Sequence, residues 1–267
     1  MTLPLATHTK QYTFGKGKLY VGLFGDDGNP VGERYLGNCP GFSLTVATTK
    51  FEHNSSKEAS AKKDLSVVTG VTFNATIQTD DMTAENTALF LGGTVSTITV
   101  AATPVTGELH VVNTGYEYQV GAANTGEASI GLTSAVASVT VKDEAGTTTY
   151  VADTDYKVDL ASGRIYIIPG GAITDGSTVQ FGYTPTAGTK TRVTTTSTGS
   201  VYGSVRFVAD NTFGVNNNLF ISSASLSGTG DRPFITDNAL AAFTIDVGIN
   251  EKDSATPQII IDSPLAA

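Results

Sequence analysis

One cysteine, no tryptophan and three histidines leave little of the usual material for chemistry in these 267 residues. The lone Cys39 excludes an internal disulfide framework and a thiolate metal cage. Charge is sparse: 15% of residues are charged, where about 25% is usual. Acids outnumber bases 25 to 16, a formal net charge of −9. That balance excludes a surface built to grip nucleic acid, which needs clustered Lys and Arg against phosphates. No window approaches the roughly 18 consecutive apolar residues of a membrane-spanning helix. Residues 1–10 have no basic stretch leading into an apolar run, so no secretory leader is expected and the chain is read as made in a cytoplasm.

What is abundant is glycine, at 29 residues, and threonine, at about forty. Thr and Val suit pleated, half-buried surfaces and Gly supplies turns, so the composition predicts an all-β protein. Period-2 alternation supports it. Val71, Phe73, Ala75 and Ile77 share one face and Thr72, Asn74, Thr76 and Gln78 the other. Near the end, Phe243, Ile245, Val247 and Ile249 alternate with Thr244, Asp246, Gly248 and Asn250. Half-buried strands broken by Gly, Asn and Asp read as an antiparallel sandwich or barrel.

Residues 81–92 break the rhythm. Asp81 or Thr83 can cap a helix, Glu85 favours its first turn, and Gly92 ends it, so one short helix is expected with Ala88, Leu89 and Leu91 against a sheet. Residues 103–191 differ from their flanks, with short strands at 138–141, 147–151, 156–160, 164–168 and 179–183 and a hairpin turn in which Gly163 needs positive φ. They read as an inserted β-subdomain, with 1–102 and 192–267 forming one discontinuous domain. Residues 48–64, the most polar stretch, read as a long loop between strands 42–47 and 65–78. Loops of that length are solvated and flexible or functional. The sharper reading is an arm that orders on a neighbouring subunit through interleaved charges.

Catalytic constellations are missing. His8, His53 and His110 have no metal-binding spacing, and Gly41-Phe42-Ser43-Leu44-Thr45 fails the nucleophile elbow at its last position. Gly15-Lys16-Gly17-Lys18 lacks the spacing and the Ser/Thr of a phosphate loop. Asp26-Asp27-Gly28-Asn29 and Asp153-Thr154-Asp155 fall short of a calcium loop and read as Asx turns. No enzyme activity, metal or cofactor is expected; the work is done by surfaces.

The order of residues then becomes informative. Gly17-Lys18-Leu19-Tyr20-Val21, Tyr35-Leu36-Gly37-Asn38 and Gly41-Phe42-Ser43-Leu44 lead through Thr49-Lys50-Phe51-Glu52-His53-Asn54 to Phe73-Asn74-Ala75-Thr76-Ile77 and Glu85-Asn86-Thr87-Ala88-Leu89-Phe90. With Tyr150-Val151-Ala152-Asp153-Thr154-Asp155-Tyr156 and Gly203-Ser204-Val205-Arg206-Phe207, this resembles the major tail tube protein of long, flexible-tailed bacteriophages. The resemblance implies a virion protein assembled in the host cytoplasm, whose six-membered rings stack into the conduit for genome ejection. Its partners would be copies of itself, tail-tip or initiator and terminator proteins, and a tape-measure protein in the bore. DNA would pass without specific binding, and no membrane is involved. On that reading Lys50, Glu52, Lys57, Glu58, Lys62 and Lys63 reach the next ring. Asn74, Thr76, Gln78, Thr244, Asp246 and Asn250 are candidates to face the lumen. Six copies of −9 give −54 per ring, a charge that repels phosphates. The alternatives are an Ig-like or β-sandwich adhesion module and a capsid-decoration protein.

Overall fold

Threonine and β-branched residues at alternate positions favour extended chain, and in the computed structural model of this protein antiparallel strands dominate, with one short helix. The structure describes residues 12–25, 27–57, 60, 62–121, 135–196 and 199–263. In chain order the first elements are β1 (Gly17–Leu23), β2 (Arg34–Tyr35), β3 (Gly41–Ser55), β4 (Lys62–Thr79), α1 (Ala84–Leu91) and β5 (Gly93–Val100). Next come β6 (Val105–Val112), β7 (Glu117–Gln119), β8 (Val136–Asp143), β9 (Tyr156–Asp159), β10 (Arg164–Ile167), β11 (Ser177–Pro185) and β12 (Gly188–Thr195). The last four are β13 (Val201–Ala209), β14 (Asn218–Thr229), β15 (Phe243–Ile249) and β16 (Ile259–Asp262).

Two compact units result, residues 1–96 with 192–267, and residues 97–191. The sequence reading places the outgoing boundary after residue 102; here it falls after residue 96, inside β5, which pairs with β12 as a two-stranded ribbon.

In the first unit one sheet runs β2-β1-β13-β14-β15-β4-β3, with β16 added to β14. Phe243, Ile245, Val247 and Ile249 of β15 are all buried, as their alternation predicts, against Leu226, Ala75 and Ile77. The sheet curls enough for Phe42 of β3 to meet Phe207 of β13, ring centroids 5.7 Å apart, so one core serves both ends of the strand order.

Helix α1 begins where its cap residues say it should. Thr83 accepts from the Asn86 N–H at 3.2 Å, and Gly92 closes the helix at φ 58°. Buried Asn86 donates to the carbonyls of Leu36 and Asp81, fastening the helix to the β2–β3 connection. The helix approaches β14 so closely that a Cβ on Gly228 would lie 2.2 Å from the Phe90 carbonyl oxygen. Phe90 then stacks edge-on against Phe243 at 5.1 Å.

In the second unit two three-stranded sheets, β6-β11-β8 and β7-β10-β9, bury their inner faces in one core containing Ile165, Ile167, Val179 and Phe181. The β9–β10 turn has Gly163 at φ 66°, as expected. The expected strand at 147–151 is corrected to a single bridge, Lys142 to Thr149. The Asp143 carboxylate takes the N–H groups of Thr147 and Thr148 and so turns the chain where a ladder would begin.

Four aspartates of this unit, Asp143, Asp155, Asp159 and Asp175, are held below the ordinary carboxylate value of 3.8. Hydrogen bonds from backbone N–H and from Ser or Thr hydroxyls are the cause. A depressed pKa contributes stability above the unfolded value that is lost as pH falls through the folded one. Thermal melts at about pH 5 and about pH 3 should therefore show the second unit weakening in acid. Asp155→Asn, at the buried member that accepts from Val151 and Ala172, should lower the melt at neutral pH and shrink that acid loss.

Candidate assembly surfaces

The described residues of 48–64 do not form the expected loop. Strands β3 and β4 continue through them as a two-stranded antiparallel ribbon, paired from Gly41–Gln78 to Ser55–Lys62 with bulges after Thr49 and after His53. Every residue at 45–54 and 62–69 is exposed. Nine residue steps at about 3.3 Å carry the ribbon some 30 Å beyond the buried part of the sheet. Thr, Val and Phe at alternate positions hold it extended, but no core gathers on either face.

That exposure is the feature the charge reading missed. Phe51 pairs with Val67 and His53 with Leu65, which puts Phe51, Leu65 and Val67 on one face at 55%, 49% and 47% exposure. Val46, Val68 and Val71 are open to solvent as well. Alternation of Phe51 with Glu52 and of Leu65 with Ser66 was the available signal. A bare two-stranded hairpin is marginal in water, and contiguous exposed apolar surface marks an interaction site.

Of the candidate ring-to-ring residues, Lys50, Glu52, Lys57, Lys62 and Lys63 stand on this ribbon or its tip, all exposed, and Glu58 lies outside the described residues. Glu52 and Lys63 pair with each other across the strands at 2.5 Å. His53 Nδ1 meets Asp64 at 2.6 Å. Residues 50–64 carry four lysines against Glu52, Glu58 and Asp64, a net +1 that leaves −10 on the rest of the chain.

The lumen candidates fall on the solvent face of the sheet. Gln78 pairs with Thr244, Thr76 with Asp246, and Asn74 with Gly248. Asn250 lies one residue past β15, outside this row. Two neighbouring strands extend the face with residues the sequence reading did not single out. Ser43 and Thr45 of β3 sit opposite Thr76 and Asn74, and Ser225, Ser227 and Thr229 of β14 sit opposite Gly248, Asp246 and Thr244. Ser43 and Thr76 hydroxyls bond at 2.8 Å. Asp246 is the one charge in this field of hydroxyls and amides, and no Lys or Arg interrupts it.

The remaining candidates for chemistry are scattered. Cys39 is half-buried, and burial pushes its thiol up. His110 is in the second unit, and His8 lies outside the described residues. Asp27 forms an Asx turn with Asn29, and Asp26 lies outside the described residues. Among the described residues no group of three or more His, Cys, Asp or Glu side chains is placed to hold a metal ion. Nor is any helix among them long and apolar enough to cross a membrane.

Taken together these features define an all-β chain whose most distinctive surfaces are an exposed ribbon and a polar sheet face. The chain belongs to the family described as protein of unknown function UCP028589, which it matches over residues 12–258. No curated protein matches it.

Proposed function

We propose that this chain is a structural subunit that joins copies of itself into rings and stacks the rings into a tube, the tail tube of a long-tailed bacteriophage. The observation that carries this reading is the ribbon at 45–54 and 62–69, with apolar residues uncovered on both faces. A chain that builds some 30 Å of strand outside its own core needs another chain to cover it.

Two further features agree. β3 ends the strand order, so one of its edges is unpaired among the described residues, and unpaired edges are templates for another chain. The polar face around Asp246 offers no cation to a phosphate backbone, which suits a wall along which DNA slides. Tape-measure, tail-tip and terminator partners belong to the same proposal and follow from the tube.

The test is negative-stain electron microscopy of the purified protein over a concentration series at low and high salt. Rings or hollow tubes are expected. Featureless particles under every condition would remove the support for a self-assembling conduit and favour an adhesion module, for which a glycan screen is the next step.

A further inference from the structure

Between β14 and β15 the chain makes a loop, residues 230–242, that displays three large apolar side chains to solvent. Phe234 is 87% exposed, Ile235 93% and Leu240 82%. The loop is nevertheless anchored. Arg232 donates to Thr87 Oγ1 of α1 at 3.1 Å, and its guanidinium lies 4.5 Å from the Phe234 ring centroid and 6.0 Å from that of Phe243. A protrusion held by its base loses little freedom on binding.

The same unit contains an apolar groove of about 700 Å³ lined mainly by Val21, Leu23, Val31, Ala88, Val95 and Val201. That volume lies in the range of sites that enclose side chains or small ligands. Helix α1 separates the two features. At about 100° per residue, Thr87, which holds the loop, projects from roughly the opposite side of the helix to Glu85, Ala88 and Leu89, which line the groove. A knob and a socket at different places on one protein make a head-to-tail contact, which gives a ring where its rotation closes.

We propose that copies of this chain join side by side by seating Phe234, Ile235 and Leu240 of one in the groove beside α1 of the next. The contact presupposes the self-association proposed above and adds its lateral half, distinct from the ribbon. Phe234, as an aromatic residue, can bury about 150–250 Å², roughly a fifth to a third of the ~800 Å² that each partner gives a stable interface, and Ile235 and Leu240 add to it. The three side chains are the centre of the contact, with the loop backbone and groove rim around them.

The test uses the full chain in a Cys39→Ser background, with Asp237→Cys, at an exposed loop position between Ile235 and Leu240, and Val31→Cys together or singly, treated with a short thiol-to-thiol cross-linker. Val31 is 84% exposed, so neither change touches the core. The double variant should give a ladder of dimers, trimers and higher species, whereas either single variant stops at dimers. Phe234→Asp with Ile235→Asp should weaken association about a hundredfold or more while leaving the melting temperature unchanged. A double variant that stops at dimers, with the aspartate variant still forming wild-type rings, overturns this contact and leaves the tube reading standing. A wild-type chain that assembles at no concentration, together with a double variant that gives no cross-linked species, overturns both. Binding of monomeric protein to phosphatidylcholine vesicles, lost in the aspartate variant, overturns the contact in favour of a lipid surface.

Discussion

Excising residues 48–71 and closing Ala47 onto Thr72 with Asn-Gly should leave rings and abolish tubes. Ala47 and Thr72 are direct partners, and Asn-Gly is the preferred two-residue turn for such a pair. The excised residues make no part of the core, so the melting temperature should move little. Magnitudes indicate which part of the ribbon matters. An exposed ion pair is worth about 0–1 kcal/mol, and Glu52 and Lys63 already satisfy each other within the chain. Burying an apolar side chain contributes about 1.5–3 kcal/mol, and Phe51, Leu65 and Val67 share one face. Phe51→Asp with Val67→Asp should therefore shorten tubes more than reversing Lys50 and Lys57 does, and the gap should widen at high salt, which screens the charges. Repetition around a ring multiplies either effect. Electron microscopy with sedimentation velocity reads the outcome. Tubes of normal length from the excised chain would end the stacking role of the ribbon.

What was legible in the sequence follows from what its patterns report. The helix was readable because Thr83, Glu85 and Gly92 are chemical signals that need no tertiary context, and the structure trims the expected 81–92 only to Ala84–Leu91. β15 was readable because one of its faces is dry and the other wet. The ribbon was not, because hydrophobic periodicity records burial and both faces of the ribbon are exposed. Its lysines, serines and asparagine then looked like loop composition. β6 was missed for the opposite reason. Along Val105–Val112 the acid Glu108 points inward and Leu109 and Val111 point outward, at 49% and 65% exposure, so its alternation is inverted. The knob at Phe234 and the groove beside α1 had no sequence signal at all, since the groove is assembled from residues as distant as Val21 and Val201.

That inverted strand carries the largest stability effect expected of a single substitution. Glu108 is fully buried, and its carboxylate accepts from the Gly121 N–H with both oxygens, at 2.9 and 3.0 Å. It also accepts from the Tyr183 hydroxyl at 2.8 Å and from His110 Nε2 at 2.5 Å. His110 in turn stacks on Phe181, ring centroids 4.4 Å apart. Burial and the adjacent carboxylate both oppose a phenolate, so Tyr183 is held protonated far above the usual tyrosine value and keeps donating. A buried charge is tolerable only with such partners. Glu108→Ala removes that charge from the second unit and takes the acceptor from the buried Tyr183 hydroxyl and from the other donors around it, at about 1–3 kcal/mol for each group left unsatisfied. Tyr183→Phe removes one donor from an acceptor that has others and should cost about 1 kcal/mol. The double variant should cost less than the sum, since the hydroxyl that Glu108→Ala orphans is then gone. Denaturant unfolding with residue-resolved hydrogen exchange separates this unit from the ribbon-bearing one, whose protection should not change. A loss below about 1 kcal/mol for Glu108→Ala would mean that water reaches the site and that the inverted face of β6 is not dry.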